Sequence, residues 1–223
     1  MRASIQFFLL SSLLISGCAD EGDITSEKLK HLEYYDSKLE SQGWPAQVLT
    51  IVEGLDGSIW MGTNLGISRI INKTVKVENN DYNLYTLSSM RDSQGNVWFG
   101  TIDGPLVFNG KDWLRSPIFL ENRWIYINTM IEVNGKMWLG TQCCGILVID
   151  NLDTEEFTQY WDPSCIDCNN VTSLHKGTDG SIWIADKSNL SKYDGKTFTT
   201  MGPESGLPES LKINVVFQDS WGS

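Results

Sequence analysis

Four cysteines fall within one part of this sequence: Cys143 and Cys144 are adjacent, and Cys165 and Cys168 follow with two residues between them. Three chemistries compete for such a set. In an oxidising compartment the thiols pair as disulfides, and four cysteines allow three pairings. Zinc is the second reading, although its ligand pairs usually have residues between both members, and adjacent cysteines chelate one metal awkwardly. A redox role for Cys165-Ile166-Asp167-Cys168 is the third, but that motif should open a helix and here a strand follows. Disulfide staples fit the spacing best, so no metal and no cofactor is expected.

Other reactive side chains are sparse. The two histidines, His31 and His175, are far apart in the chain. There is no Ser/His/Asp set, no zincin motif and no glycine-rich phosphate loop. Asp56, Asp92, Asp179 and Asp219 each lie at a turn beside a glycine or serine, and nothing pairs them as acid and base. No group is nominated for catalysis, and the expectation is a protein that is not an enzyme.

The fifth cysteine, Cys18, closes an N-terminal segment with a positive charge at Arg2 and an apolar run from Ile5 to Ile15. That run is too short to span a bilayer as a helix. Its end, Leu14-Ile15-Ser16-Gly17-Cys18, resembles the lipobox of bacterial lipoproteins. The resemblance implies cleavage before Cys18 and a lipid anchor on its thiol; an ordinary secretory peptide with an incidental cysteine is the plain alternative. Residues 1–17 are thus expected to be a signal peptide and 18–30 an acidic flexible linker. The remainder would be tethered in the bacterial cell envelope, on the periplasmic or surface face of the outer membrane. Ala19-Asp20-Glu21-Gly22-Asp23 resembles the acidic export tags of some surface lipoproteins, and reads equally well as a solvated linker.

The formal net charge is −11 at pH 7. No basic stripe could displace counterions from phosphates, so nucleic acid is excluded as a partner. The same balance disfavours an electrostatic grip on anionic lipid.

The elements that must position any site come from a repeat. Gly57-Ser58-Ile59-Trp60-Met61-Gly62-Thr63 returns as Gly95-Asn96-Val97-Trp98-Phe99-Gly100-Thr101 and as Gly135-Lys136-Met137-Trp138-Leu139-Gly140-Thr141. A fourth copy, Gly180-Ser181-Ile182-Trp183-Ile184-Ala185-Asp186, has lost the Gly-Thr, and Asp219-Ser220-Trp221-Gly222-Ser223 opens a fifth. The leading glycines are spaced 38, 40, 45 and 42 residues apart. Each unit reads as four strands: an apolar strand, a turn with Asp or Asn and Gly, the Trp strand, a turn at Gly66, Gly104, Gly145 or Asn189, then two further strands. Four strands in ~40 residues is the size of a β-propeller blade. Helical repeats fit worse, because no helical periodicity runs through these segments.

The pattern Gly-x-Ile-Trp-x-Gly-Thr-x-x-Gly-Ile, with Gly206-Leu207-Pro208 and its variant Gly43-Trp44-Pro45, resembles the two-component regulator propeller repeat. The resemblance covers residues 31–223. It implies an all-β propeller of four-stranded antiparallel blades from the extracytoplasmic sensor region of a signalling protein, typically seven-bladed. Seven units would need ~280 residues, so four blades and the start of a fifth are expected to form an incomplete arc. Strand closure by residues 31–36, or a five-bladed ring, are the alternatives.

Trp60, Trp98, Trp138 and Trp183 share one repeat position. Inter-blade packing explains them better than an aromatic sugar platform, because every blade carries one. A ligand site belongs at the mouth formed by the strand 2–3 turns and the strand 4–1 connections. Candidates there are Asn64, Tyr82, Tyr85, Asp103, Arg123, Trp124 and Asn170. The third unit's insertions, at Cys143-Cys144 and the Cys165–Cys168 loop, are expected to fall on that same end. Three functions follow: a lipid-anchored ligand-binding sensor for a glycan or envelope component, acting with a signalling partner; a propeller enzyme resembling streptogramin lyases, which would need His31 and His175; or a passive outer-membrane scaffold.

Overall fold

The computed structural model describes residues 47–79, 85–115, 125–150, 156–160, 170–187, 189–208 and 212–219. They form four antiparallel sheets of four strands, each in sequence order. The first blade holds β1 (Val48–Glu53), β2 (Ile59–Thr63), β3 (Gly66–Ile71) and β4 (Thr74–Asn79). The second holds β5 (Thr86–Arg91), β6 (Val97–Thr101), β7 (Gly104–Phe108) and β8 (Trp113–Arg115). The third holds β9 (Ile127–Val133), β10 (Lys136–Thr141), β11 (Ile146–Ile149) and β12 (Phe157–Tyr160). The fourth holds β13 (Val171–Lys176), β14 (Ile182–Asp186), β15 (Leu190–Tyr193) and β16 (Phe198–Met201). This is the propeller blade that the repeat predicts. Among the described residues, no helix is long and apolar enough to cross a membrane.

Three of the β1–β2-type turns are wider than a two-residue hairpin. Gly54 N–H donates to the Ser58 carbonyl at 2.8 Å, and Gly177 N–H to that of Ser181 at 2.8 Å. Asp92 takes the same place in the second blade, donating to Asn96 at 3.0 Å. Only Asn134-Gly135 makes the tight turn its sequence suggests, with φ of 52° and 75°.

The Gly-Thr pair has two separate jobs. The threonine hydroxyl closes the second turn: Thr63, Thr101 and Thr141 each donate to the carbonyl of Gly66, Gly104 or Gly145 at 2.7–2.9 Å. Each also accepts a backbone N–H from the turn itself, from Leu65, Asp103 or Cys144. In the fourth blade Asp186 substitutes, its carboxylate accepting the backbone N–H of Asn189 at 2.6 Å and the Asn189 amide. The glycine serves close approach. A Cβ on Gly62 would lie 2.5 Å from Thr86, and one on Gly140 would lie 2.7 Å from Val171, both in the next blade.

A bulge recurs opposite this pair in all four blades, leaving Leu49, Leu87, Asn128 and Thr172 unpaired in the first strands. In the last two blades the bulged side chain reaches forward. Asn128 Nδ2 donates to the Val171 carbonyl at 3.0 Å, and Thr172 Oγ1 to that of Ile213 at 2.9 Å. Residues 213–218 therefore lie against β13 as β13 lies against β9. Val216 N–H donates to Ser173 Oγ, and Thr178 N–H to Gln218 Oε1.

The core sits between blades. Trp60 packs with Val97, Phe99 and Leu106 of the second blade; Trp98 with Met130, Met137 and Leu139 of the third; Trp138 with Leu174, Ile182 and Ile184 of the fourth. Each buried side chain of this size contributes about 1.5–3 kcal/mol. Trp183 is half-buried, with Lys192 Nζ 5.2 Å above its ring.

Candidate functional site

The residue immediately before each first strand fixes one end of the assembly. These are Gln47, Tyr85, Tyr126 and Asn170. Three of them are tied by their backbone carbonyls to the residue just past the conserved threonine position: Asn64, Ile102 and Gln142 donate to Gln47, Tyr85 and Tyr126 at 3.0–3.2 Å. The fourth is held by its side chain, since Asn128 Nδ2 donates to Asn170 Oδ1 at 2.8 Å. The strand 2–3 turns and the starts of the first strands thus converge at one mouth.

The predicted mouth residues separate into two kinds. Asn64 accepts the Gln47 N–H on its Oδ1 at 2.9 Å, so its amide closes the chain rather than projecting freely. Asp103 is paired with Arg115 from β8, and both charges are neutralised locally. Asn170 is joined to the third blade as above. Tyr85 stands out from these: the residue is 37% exposed while its carbonyl is anchored. Tyr82, Arg123 and Trp124 lie outside the described residues. Tyr126, which the sequence reading did not select, is 36% exposed at the same register as Tyr85. Aligning the residue before each apolar strand would have found it.

Cys143 and Cys144 occupy the strand 2–3 turn of the third blade at this end, both half-buried. Gln159 Nε2 donates to the Cys144 carbonyl at 3.0 Å, tying the turn to β12. Ile146 pairs with Tyr160, so the chain leaves β12 beside the cysteine turn and returns at Asn170 on the same mouth. Among the described residues Cys143 has no disulfide partner; Cys165 and Cys168 lie outside them, as do Cys18 and His31.

The opposite end carries Asp56, Asp92 and Asp179, each engaged by its own turn. Asp56 accepts from the backbone and hydroxyl of Ser58 and pairs with Arg69. The Ser58 hydroxyl, with Arg69 assisting, holds its carboxyl below the ordinary range. Asp179 accepts from Ser181 and from Lys192 Nζ at 2.8 Å, and these bonds, led by Lys192, lower its pKa strongly. Asp92 accepts from Asn96 and from Trp98 Nε1. His175 pairs across the sheet with Trp183, towards the turn at Asp179, and its ring sits 5.1 Å from that of Phe217. Burial lowers its pKa, opposed by a hydrogen bond to the Gln218 backbone. Among the described residues, no group of three or more His, Cys, Asp or Glu side chains could hold a metal ion.

Four antiparallel four-stranded sheets, each in sequence order, define the class as a β-propeller. No protein-family model matches the chain, and no curated protein does so. Solved structures do. The extracellular domain of BT3049, described as a hybrid two component system of B. thetaiotaomicron, is similar at a TM-score of 0.68 and 26% identity, over 79% of this chain and 25% of that one. The corresponding domain of BT4673 from the same organism gives 0.67 at 18% identity, over 80% and 25%. Virginiamycin B lyase from Staphylococcus aureus gives 0.55 at 18% identity, over 70% and 55%. The chain thus spans about a quarter of the length of the extracellular domains it resembles. The likeness expected from the repeat is borne out in these extracellular domains.

Proposed function

We propose that this chain is an extracytoplasmic sensor propeller that binds a ligand at the Tyr85–Tyr126 mouth without transforming it. The likeness to the BT3049 extracellular domain is the observation that carries the reading. Cys18 holds a lipid anchor in the cell envelope, and the Cys143/Cys144 turn is stapled to Cys165 and Cys168. The ligand is a glycan or another envelope component, and its binding is relayed to a signalling partner protein. The aspartates at the far end are engaged in closing turns, which leaves them poorly placed for proton transfer.

Thermal-shift titration of the full chain against envelope extracts and saccharide fractions tests this. A saturable rise in melting temperature, with the added compounds recovered unchanged by mass spectrometry, is the expected result. Failure of every fraction to shift the transition would sink the reading.

The likeness to virginiamycin B lyase supports an enzyme as the second reading. It needs His31 and His175 together at the mouth, and His175 packs against Phe217 instead. Turnover of an added compound that is lost in His31→Ala or His175→Ala would establish it.

A further inference from the structure

The second, third and fourth blades each present an apolar face to the tryptophan of the blade before. Val97 and Phe99 do so in the second, Met137 and Leu139 in the third, and Ile182 and Ile184 in the fourth. The first blade builds the same face. Ile59 and Met61 stand at those two positions of the repeat. Ile51 pairs beside Met61, and Ile70 and Val75 continue the row from Ile59. These five residues and Val48 form a cluster of their own. Trp60, between Ile59 and Met61, points to the other side of the pleat and into the second blade.

The burial of this face calls for a second layer. Met61 is 2% exposed and Ile70 is 8% exposed. A sheet with one face open to water leaves the side chains of that face accessible. Among the described residues no other blade joins the cluster, because the first blade meets the second through its opposite side.

Two covers compete. A second copy would have to bring the Trp183 side of its fourth blade. There residues 213–218 already take the place of the next first strand, with Phe217 against His175. The other cover is the chain leading into β1, which lies outside the described residues. Leu29, Leu32, Tyr35 and Leu39 recur at intervals of three and four, the spacing of one helix face, with Asp36 the one charge inside that stripe. Gly43 and Pro45 follow as stop signals. Gln47, whose N–H is held by Asn64, comes eight residues after Leu39. Eight residues reach about 27 Å, and four strands measure about 15 Å across. The leading segment is thus long enough to fold back over the sheet it enters.

We infer that the segment from Leu29 to Leu39 is the cover of the first blade, with Leu32, Tyr35 and Leu39 lying on Ile59, Met61 and Ile70 where a tryptophan sits in the other joints. The segment is then a part of the folded module, whatever the mouth binds.

Photo-crosslinking of the full chain tests this, with Tyr35 replaced by p-benzoylphenylalanine. The expected product is a crosslink within one chain to the peptide spanning β2 and β3. Tyr35→Ala and Leu39→Ala should each lower the melting temperature by about 3–8 °C. In a Met61→Ala background both shifts should be much smaller, because the two sides share one contact. Crosslinks between chains would make a second copy the cover and overturn the inference. Crosslinks to another blade, no crosslink at all, or melting shifts that add in full would overturn it equally.

Discussion

The indole Nε1 of Trp98 donates a 2.8 Å hydrogen bond to the carboxylate of Asp92, six residues earlier. The same atom in the next blade, Trp138 Nε1, is buried without a hydrogen-bond partner among the described residues. The cause is the turn. Asp92 sits in a wide loop that folds back over the strand, whereas Asn134-Gly135 turns in two residues and brings no acceptor.

Trp98→Phe and Trp138→Phe should therefore differ in sign or size. Removing the Trp98 donor forfeits a bond to a charged acceptor, a loss of about 1.5–3 kcal/mol. Both variants lose the same side-chain volume, but removing the Trp138 donor relieves an unmet group, so Trp138→Phe should cost about 1.5–3 kcal/mol less than Trp98→Phe. Urea unfolding of the two variants gives the comparison; equal losses would refute it.

Glycine at the Gly-Thr position is needed for inter-blade contact. A Cβ on Gly100 would lie 2.2 Å from Ser88 Oγ and 2.7 Å from the Ile127 carbonyl of the next blade. Gly100→Ala should destabilise by about 1–3 kcal/mol through overpacking. Ala185 already carries the methyl at this position in the fourth blade and is fully buried. Ala185→Gly should cost only about 0.5–1 kcal/mol. Denaturation midpoints in the reverse order would contradict the assignment.

The threonine is replaceable only by another acceptor. Thr101→Val leaves the Asp103 N–H and the Gly104 carbonyl without the Thr101 hydroxyl, at a cost of about 1–3 kcal/mol. Thr101→Asp should recover part of that loss, as Asp186 serves the fourth blade. A Thr101→Asp variant less stable than Thr101→Val would show that the two residues are not interchangeable.

His175 gives the stability an acid dependence. Burial holds its folded pKa below the ordinary 6.5, so the neutral ring is favoured in the folded state. Its contribution is complete above pH 6.5 and declines as pH falls through the lower, folded value, because the unfolded chain takes up the proton first. His175→Leu should flatten the stability profile over the pH units just below 6.5. Melting temperatures measured across that interval decide it, and parallel profiles would exclude the effect.

On export, Cys143 and Cys144 should resist alkylation unless a reductant is added, and tryptic peptides should be found linked to those carrying Cys165 and Cys168. Free thiols at all four positions in oxidised protein would remove the staple.

The architecture was readable because it repeats. One glycine-tryptophan-threonine pattern, seen three times, accounts for the sixteen strands in four sheets among the described residues, and the altered Ala185-Asp186 copy still folds into register. The candidate site was less legible. Asn64 and Asp103 looked available because polar loop residues usually are, yet both are engaged in local bonds that join residues distant in sequence. Tyr126 was overlooked because its identity is unremarkable until the register places it beside Tyr85 in the next blade. Neither the bulge at Asn128 nor its reach to Val171 could be read before strand pairing was known.

Within their own blades the four equivalent tryptophans have different neighbours: the Arg69 guanidinium 4.4 Å from the Trp60 ring, Asp92 on Trp98, the Tyr160 ring stacked at 5.3 Å on Trp138, and Lys192 over Trp183. Identical modules strung together can dock in the wrong order while folding, because any unit accepts any neighbour. Here the joints themselves differ, with Phe99 and Trp113 of the second blade against Trp60, Met130 and Met137 of the third in the cluster of Trp98, and Tyr193 of the fourth against Trp138, so a blade carries an address as well as a shape.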